Sequence, residues 1–249
     1  VRIVPQTKAK APHIYDPGNF NFTYSFNEVL FSDPFIEKNS RKNWLGVIAW
    51  SFAPQSKEWL PFKKMKTKSK WADIIKDFNF NPMPSTLAVS SEWNRDFTEI
   101  RLRPLGEVDF AIPTTYSKNF RWNRTYAFKY NPFRSLSIDY AASNNARIDE
   151  PDGKIDTKAE RDEIWSNVGM GGRNTNYNQT LAVNYNLPIN KLPVFDFITA
   201  NVGFASSYTW TAMPWQLDTA TGKLRQNTLG NIISNSQNDR AKVDLNFKK

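Results

Sequence analysis

Aromatic and small polar residues alternate strictly from position 20 to position 27. Phe20, Phe22, Tyr24 and Phe26 are separated by single polar residues. A period of two places all four rings on one face of a β-strand, because successive side chains of a strand point to opposite faces. The same alternation recurs along the chain and predicts eight strands, at 20–31, 43–53, 86–103, 119–130, 135–147, 175–187, 195–212 and 231–247.

The lengths of the strands and of their links favour a membrane-spanning sheet. Each predicted strand reaches the roughly 9–11 residues that cross a bilayer obliquely, whereas strands of soluble proteins centre on about five or six. The links after the fourth and sixth strands are short, and those after the first, third, fifth and seventh are longer. This asymmetry is typical of outer-membrane barrels. The polar loop at 149–174 is then expected outside the cell, and residues 1–18 are expected to be a connector.

The link at 54–84 departs from this rule, because it is long and lies on the short-turn side. Trp71, Ile75 and Phe78 recur at helical spacing after a lysine-rich run, so we expect a short amphipathic helix over 69–78. Two placements fit such a helix. It lies at an anionic membrane surface or plugs a barrel mouth, or it packs against the sheet, which we favour.

The two faces of the predicted strands differ in chemistry. One face is aromatic and apolar, which suits lipid and its interfaces. The residues predicted to face lipid or to form interfacial girdles are Phe20, Phe22, Tyr24, Phe26, Trp44, Ile48, Trp50, Trp122, Tyr126, Phe128, Leu181, Val183, Tyr185, Val202, Phe204, Tyr208 and Trp210. The other face carries small, mostly uncharged residues with scattered Arg, which suit a water-filled lumen. The residues predicted to face the lumen are Asn21, Thr23, Ser25, Asn27, Asn184, Thr199, Asn201, Ser207 and Thr209.

Two arginines fall among the aromatic residues of this alternation, Arg95 and Arg124. An arginine that faces lipid at the bilayer midplane costs about 2–4 kcal/mol. We therefore expect both side chains near an interface or against a partner.

The small residues of the second face indicate that these strands do not close into a barrel alone. A small barrel fills its lumen with side chains, and Asn, Ser and Thr are too slight for that. An open sheet edge in hydrocarbon leaves backbone groups unpaired at several kcal/mol each. We therefore predict an all-β fold, in which 19–249 form an antiparallel segment of about eight strands within a larger transmembrane β-barrel.

Composition and motifs offer no catalytic site. The chain has 249 residues, a formal charge of +9, no cysteine and one histidine, His13. The stretch 149–156 resembles a calcium loop, but the loop positions that need carboxylates are Ile148 and Ala159. Gly169–Gly172 lacks the Lys-Ser/Thr of a phosphate loop and suggests a flexible hinge. We predict a non-enzyme without catalytic, cofactor-binding or metal-binding residues. The dispersed positive charge favours a solvated surface over nucleic-acid binding.

Two other interpretations stay open. A soluble, aromatic-rich β-sandwich could bind glycan or single-stranded nucleic acid through stacking rings and basic charge, and it would fold in buffer without detergent. A small closed outer-membrane barrel could serve as an adhesin or an enzyme. The isolated chain would then show heat-modifiable mobility in detergent.

Several longer stretches recur in one order along nearly the whole chain: His13–Pro17 leading into Asn21–Phe26, then Ile75–Asn81, Asn144–Gly153, Leu187–Lys191, Tyr208–Ala212 and Asn231–Asn238. Together they resemble the SprA/Sov family, the giant outer-membrane translocon of the type 9 secretion system in Gram-negative bacteria. The resemblance implies a barrel that passes folded cargo proteins from the periplasm to the cell surface, of which this chain is a minor part. It further implies a PorV-like partner at a lateral opening, a periplasmic plug and, in some bacteria, gliding motility.

Overall fold

The computed structural model describes residues 13–54, 57–65, 73–104, 112–217, 224–226 and 230–247, and over these residues the fold is all-β. Eight strands form one antiparallel sheet, in which each strand pairs with its neighbours along the chain. These strands are β1 (Phe20–Phe31), β2 (Ile36–Phe52), β3 (Thr86–Leu102), β4 (Thr115–Phe133), β5 (Leu136–Ile148), β6 (Arg173–Leu187), β7 (Ile198–Thr211) and β10 (Ile232–Leu245). The link between β7 and β10 holds a hairpin of β8 (Trp215–Leu217) and β9 (Leu224–Gln226).

The period-two alternation locates all eight strands of this sheet, and most of their ends fall within a few residues of the prediction. The exception is β2, which begins at Ile36 rather than at 43. The run from Ile36 to Lys42 is mostly polar and carries no alternating apolar pattern. Its backbone nevertheless pairs with β1 on one side and β3 on the other. Hydrogen bonding to two neighbours therefore extends the strand beyond its apolar pattern.

The early start of β2 reduces the first link, predicted to be long, to a tight turn at 32–35. The Asp33 carboxylate closes this turn by accepting hydrogen bonds from the backbone N–H groups of Phe35 (2.8 Å) and Ile36 (2.6 Å). The other links at this end of the sheet, which we call the long-loop end, are 103–114, 149–172 and 212–231. The links at the opposite, short-turn end are 53–85, 134–135 and 188–197.

The helices differ from the sequence prediction in both long links. Within the range 69–78, α1 spans only Asp73–Lys76, and residues 69–72 lie outside the described part of the chain. A second helix, α2 (Lys158–Gly169), lies in the polar loop at 149–174, where the sequence analysis predicted no helix. It begins with a capping box: the Thr157 hydroxyl accepts from the Glu160 N–H at 3.3 Å, and the Glu160 carboxylate accepts from the Thr157 N–H at 2.9 Å.

Glycines end α2 in a fixed geometry. The Gly171 N–H donates to the carbonyl of Val168 and the Gly172 N–H to that of Asn167, both at 2.9 Å. The two glycines have φ values of +87° and +71°, which only glycine adopts readily. The interpretation of Gly169–Gly172 as a flexible hinge is therefore wrong, because these residues form a C-terminal helix cap.

No second layer covers the sheet in the part of the chain that the structure describes. The buried apolar side chains are Phe52, Ala142, Ala146 and Ile148, and apolar residues such as Tyr24 and Val243 are 74% and 61% exposed. The sheet also stays open, since β1 pairs only with β2 and β10 only with β7 among the described strands. None of the described helices has the length and apolarity required to span a membrane.

Replacing Thr157 by Ala should weaken the first turn of α2 and leave the sheet intact. The variant loses the hydroxyl acceptor of the capping box, which typically contributes about 1 kcal/mol. We expect amide hydrogen exchange at 158–161 to accelerate about fivefold, with unchanged exchange in β4 and β5. Thr157→Ser keeps the hydroxyl and should exchange like the parent. Equal exchange in the Ala and Ser variants would contradict the role of the cap.

Candidate functional site

The pairing register sorts the predicted site residues onto two faces. One row of paired residues crosses all eight strands, running Phe20, Trp50, Val89, Tyr126, Ala142, Gln179, Tyr208 and Asn235. Paired residues point to the same side of a sheet. By this register every residue predicted to face lipid lies on one side, here called the aromatic face. Every residue predicted to face the lumen lies on the other side, the polar face.

Apolar side chains of the aromatic face form a continuous band. On each strand the band comprises the aromatic-face positions within 20–26, 44–52, 87–93, 126–130, 136–142, 181–187, 198–204 and 241–245, interrupted only by Gly46 and Ser91. On its long-loop side the band stops at one polar residue per strand. These residues, the polar boundary, are Glu28, Lys42, Arg95, Arg124, Asn144, Gln179, Ser206 and Asp239. The girdle candidates Trp122, Tyr208 and Trp210 lie just beyond this boundary.

The band runs diagonally across the sheet. The row through Glu28 on β1 reaches β4 at Lys118, and the row through Asp239 on β10 reaches β4 at Tyr130, twelve positions further along that strand. From β1 to β10 the polar boundary thus moves twelve positions toward the short-turn end. Over seven strand-to-strand steps this is about 1.7 residues per strand. With about 3.4 Å per residue and about 4.8 Å between strands, this is a slope of about 50°. Strands that cross a bilayer are tilted by about 45°.

Arg95 and Arg124 both lie on the polar boundary rather than inside the band. The Arg95 guanidinium donates two hydrogen bonds to the Glu150 carboxylate and sits 5.1 Å from the ring centre of Trp44. The Arg124 guanidinium lies 4.6 Å from the ring centre of Trp122 and donates to the carbonyl of Gly171 at 3.2 Å. Both cations are therefore held by residues of the β5–β6 link.

This link, residues 149–172, folds back across the aromatic face, and we call it the strap. The Lys118 ammonium donates to the carbonyl of Pro151, and Ile148 beneath the strap is only 1% exposed. At Gly172 a Cβ atom would lie 2.7 Å from the Ile148 Cδ1, so this close approach requires glycine. The strap lies on the long-loop side of the polar boundary and leaves the apolar band uncovered.

A second ion pair fixes the base of the strap. The Arg173 guanidinium donates to both carboxylate oxygens of Asp149, at 2.8 and 2.9 Å, and these bonds hold the pKa of Asp149 below its ordinary value. The Asn167 amide donates to the backbone carbonyl of Asp149 at 2.8 Å, which ties α2 to the same point. Because the pKa is lowered on folding, this pair stabilises the strap above the ordinary pKa of Asp149. The contribution is lost as the pH falls through the lowered value.

Amide side chains on the polar face form hydrogen bonds between neighbouring strands. Asn201 donates to Asn186 on the neighbouring strand at 2.6 Å, and Asn176 donates to the Thr211 hydroxyl at 3.0 Å. The face also carries more charge than the sequence analysis expected. Ion pairs join some of these charges across neighbouring strands, as between Lys129 and the Asp139 carboxylate at 3.1 Å and between Arg121 and Asp96 at 3.3 Å. The wall is therefore polar, and part of its charge is paired.

A cavity of about 440 Å³ opens along the middle of the sheet. The polar-face residues that line it are Ala49, Ser51, Ala88, Ser90, Thr125, Ala127, Ala141, Ser143, Asn178 and Thr180. Five aromatic-face residues of the same row also border it, namely Trp50, Val89, Tyr126, Ala142 and Gln179, so residues of both faces line this space. The small side chains of the polar face leave the space open rather than filled.

The link between β2 and β3 packs against the short-turn end. The buried Asn79 accepts a hydrogen bond from the Arg134 backbone N–H at 2.8 Å, and the rings of Phe78 and Phe80 lie 5.6 and 6.0 Å from that of Phe133. This packing agrees with the favoured placement of the link. The Asp77 carboxylate pairs with Lys191 at 2.9 Å, beside a cavity of about 1120 Å³ that is walled on its far side by polar-face residues of β6, β7 and β10.

Sequence reasoning missed the partners of the two arginines. Glu150 and Gly171 lie far from Arg95 and Arg124 in the chain, and only the T-x-x-E box at Thr157 signalled that the loop is ordered. The described residues contain no group of three or more acidic or histidine side chains placed to hold a metal ion. A scan against protein-family models found no match, and a search of curated proteins found no relative.

Replacing Arg95 by Ala should release the strap. The Glu150 side chain is only 2% exposed, and removing one partner of a buried ion pair typically costs about 3–5 kcal/mol. We expect limited proteolysis within 149–172 to accelerate by more than about tenfold. The matched control is Arg101→Ala, which removes the exposed ion pair with Glu37, and such pairs contribute about 0–1 kcal/mol. Equal proteolysis of the two variants would refute the clamp.

Replacing Asn79 by Ala should loosen the short-turn end. The variant removes the acceptor of the partly buried Arg134 backbone N–H, at a cost of about 1 kcal/mol. We expect a lower urea midpoint in detergent, with an unchanged m-value. Asn190→Ala is the control, because this exposed residue lines the same cavity. A midpoint shift of the same size in both variants would argue against the hydrogen bond.

Proposed function

We propose that this chain is a segment of a transmembrane β-barrel in the outer membrane of a Gram-negative bacterium, and that the barrel conducts exported proteins to the cell surface. The aromatic face then contacts lipid, and the polar face lines the lumen. The observation that carries the proposal is the apolar band, which keeps a similar width while it crosses eight strands on a slope of about 50°. The hydrocarbon core of a bilayer has a constant thickness, so strands that cross it at a tilt need an apolar band that runs diagonally across them.

The exposure of the band favours lipid over a soluble β-sandwich. A sandwich covers its apolar face with a second sheet. Among the described residues nothing covers this band, and Phe22, Val202 and Val243 are 49%, 45% and 61% exposed. Burying such side chains is worth about 25 cal/mol per Å² of apolar surface. Contact with acyl chains would recover this free energy without a second protein layer.

The polar face supports a wide, water-filled passage. Small side chains would leave a closed eight-stranded barrel underfilled, whereas in a larger barrel they line an open bore. The paired charges and hydrogen-bonded amide side chains of the described polar face suit a water-filled passage for a polypeptide.

Resemblance to the SprA/Sov family supplies the class of cargo in this proposal. The passage would export folded proteins by type 9 secretion, with a PorV-like protein at a lateral opening and a periplasmic plug as partners, and would serve gliding motility in some bacteria. The strap and α2 would then be extracellular. The β2–β3 link would face the periplasm.

Paired cysteines on β6 test the two faces. The chain has no cysteine, so Val183→Cys and Asn184→Cys can be compared in a cysteine-free background of the full-length protein in its native membrane. Asn184 lies on the polar face and should react with a charged, water-soluble maleimide. Val183 lies in the apolar band and should be protected until the protein is unfolded. Reaction of both cysteines at similar rates would overturn the proposed lipid contact.

The same pair on a second strand guards against a local effect. Phe22→Cys and Thr23→Cys on β1 repeat the comparison five strands away in the sheet order, and should show the same alternation. Protection of Asn184→Cys with reaction of Val183→Cys would place the polar face against lipid, which also contradicts the proposal.

A further inference from the structure

The strap presents apolar side chains that no described residue covers. Trp165 and Met170 are 71% and 73% exposed, and α2 buries none of its residues. The first half of α2 is charged, with Lys158, Glu160, Arg161, Asp162 and Glu163. The apolar residues Ile164, Trp165 and Val168 follow in its second half, just before Met170. The helix therefore changes from charged to apolar along its length, rather than having one charged face and one apolar face.

Contacts before and after α2 align it with β4. Before the helix, the Lys118 ammonium donates to the carbonyl of Pro151 in the strap. In the first turn, hydrogen bonds from Thr157 lower the pKa of Glu160, and the charge of Lys118 adds to this effect. At its end, the Gly171 carbonyl accepts from the Arg124 guanidinium. Lys118 and Arg124 lie on the aromatic face of β4 about 20 Å apart, and a helix of 12 residues is about 18 Å long. The charged half of α2 therefore lies at the level of Lys118, and the apolar half at the level of Arg124.

Arg124 is the β4 member of the polar boundary, directly above the apolar band. The apolar half of α2 therefore lies where the lipid-facing band begins, on the outer side of the sheet. Tryptophan prefers this depth of a bilayer, because its ring is apolar while its indole N–H remains hydrated.

We infer that the second half of α2 is an interfacial anchor, with Trp165 seated in the boundary between headgroups and acyl chains of the leaflet at the long-loop end. This inference rests on the proposed lipid contact of the aromatic face. Its occupant is a lipid surface, chosen because the apolar half of α2 lies at the polar boundary, on the same side of the sheet as the exposed apolar band. The Arg95–Glu150 and Arg124–Gly171 contacts join the strap to the sheet. The depth of Trp165 in the bilayer therefore sets the depth of the sheet along the membrane normal.

Depth measurements with nitroxide labels test the anchor. Single cysteines replace Trp165, Val202 and Lys154 in a cysteine-free background of the full-length protein, reconstituted in phosphatidylcholine vesicles. Power-saturation electron paramagnetic resonance compares collisions with oxygen and with a water-soluble nickel chelate. Val202 lies in the band and should favour oxygen, whereas Lys154, an exposed residue of the strap, should favour nickel. The label at 165 should fall between them, at interfacial depth.

Each other outcome overturns the inference in a recognisable way. If the label at 165 is as nickel-accessible as that at 154 while the label at 202 favours oxygen, the anchor is wrong and the proposed function stands. If the label at 202 is also as nickel-accessible as that at 154, the lipid-facing wall itself is wrong.

A second measurement keeps the native side chain. Lipids brominated at shallow acyl positions should quench the fluorescence of the parent more than that of Trp165→Phe, and deep bromines should distinguish them less. Equal quenching of the two proteins by shallow bromines would overturn the anchor even if the labelled variants perturb the strap.

Discussion

The structure depends on one constraint, the unbroken antiparallel ladder that holds eight strands in a single register. Side chains alternate with a period of two, so a slip by one residue in any pair would turn every later aromatic side chain to the opposite face. The three register shifts of the sheet, at Ile36–Lys38, Tyr130–Phe133 and Asn145–Ala146, lie near strand ends, outside the row that links all eight strands. The separation into an aromatic face and a polar face follows from this continuous pairing. The continuous apolar band on the aromatic face follows from it too.

The alternating pattern was sufficient to predict the strands and their faces, because both depend on local periodicity. It could not locate the start of β2, where backbone pairing with two neighbours outweighs the polar sequence from Ile36 to Lys42. It also could not settle the positions of Arg95 and Arg124, since their partners are distant in the chain. The helix α2 was predictable in principle from Thr157 and Glu160, but a capping box carries little weight in a segment without apolar periodicity.

The strap and two tryptophan rings hold the cations of the aromatic face. Two guanidinium groups would be costly near hydrocarbon in the proposed membrane wall, yet each donates hydrogen bonds to the strap and lies against a tryptophan ring. The polar boundary is therefore built jointly by the sheet and by a segment that folds over it. Beyond it the strap covers the aromatic face around Ile148, and below it the face stays bare.

The diagonal offset between strands has a geometric consequence for the width of any barrel that contains them. A strand inclined by about 50° occupies roughly 1.5 times the arc that an upright strand would, because its spacing of about 4.8 Å is measured perpendicular to its own axis. Shear and strand number together set the radius of a barrel. The offset of about 1.7 residues per strand is thus a shear that widens a barrel without adding a strand, so fewer strands enclose a bore of a given diameter.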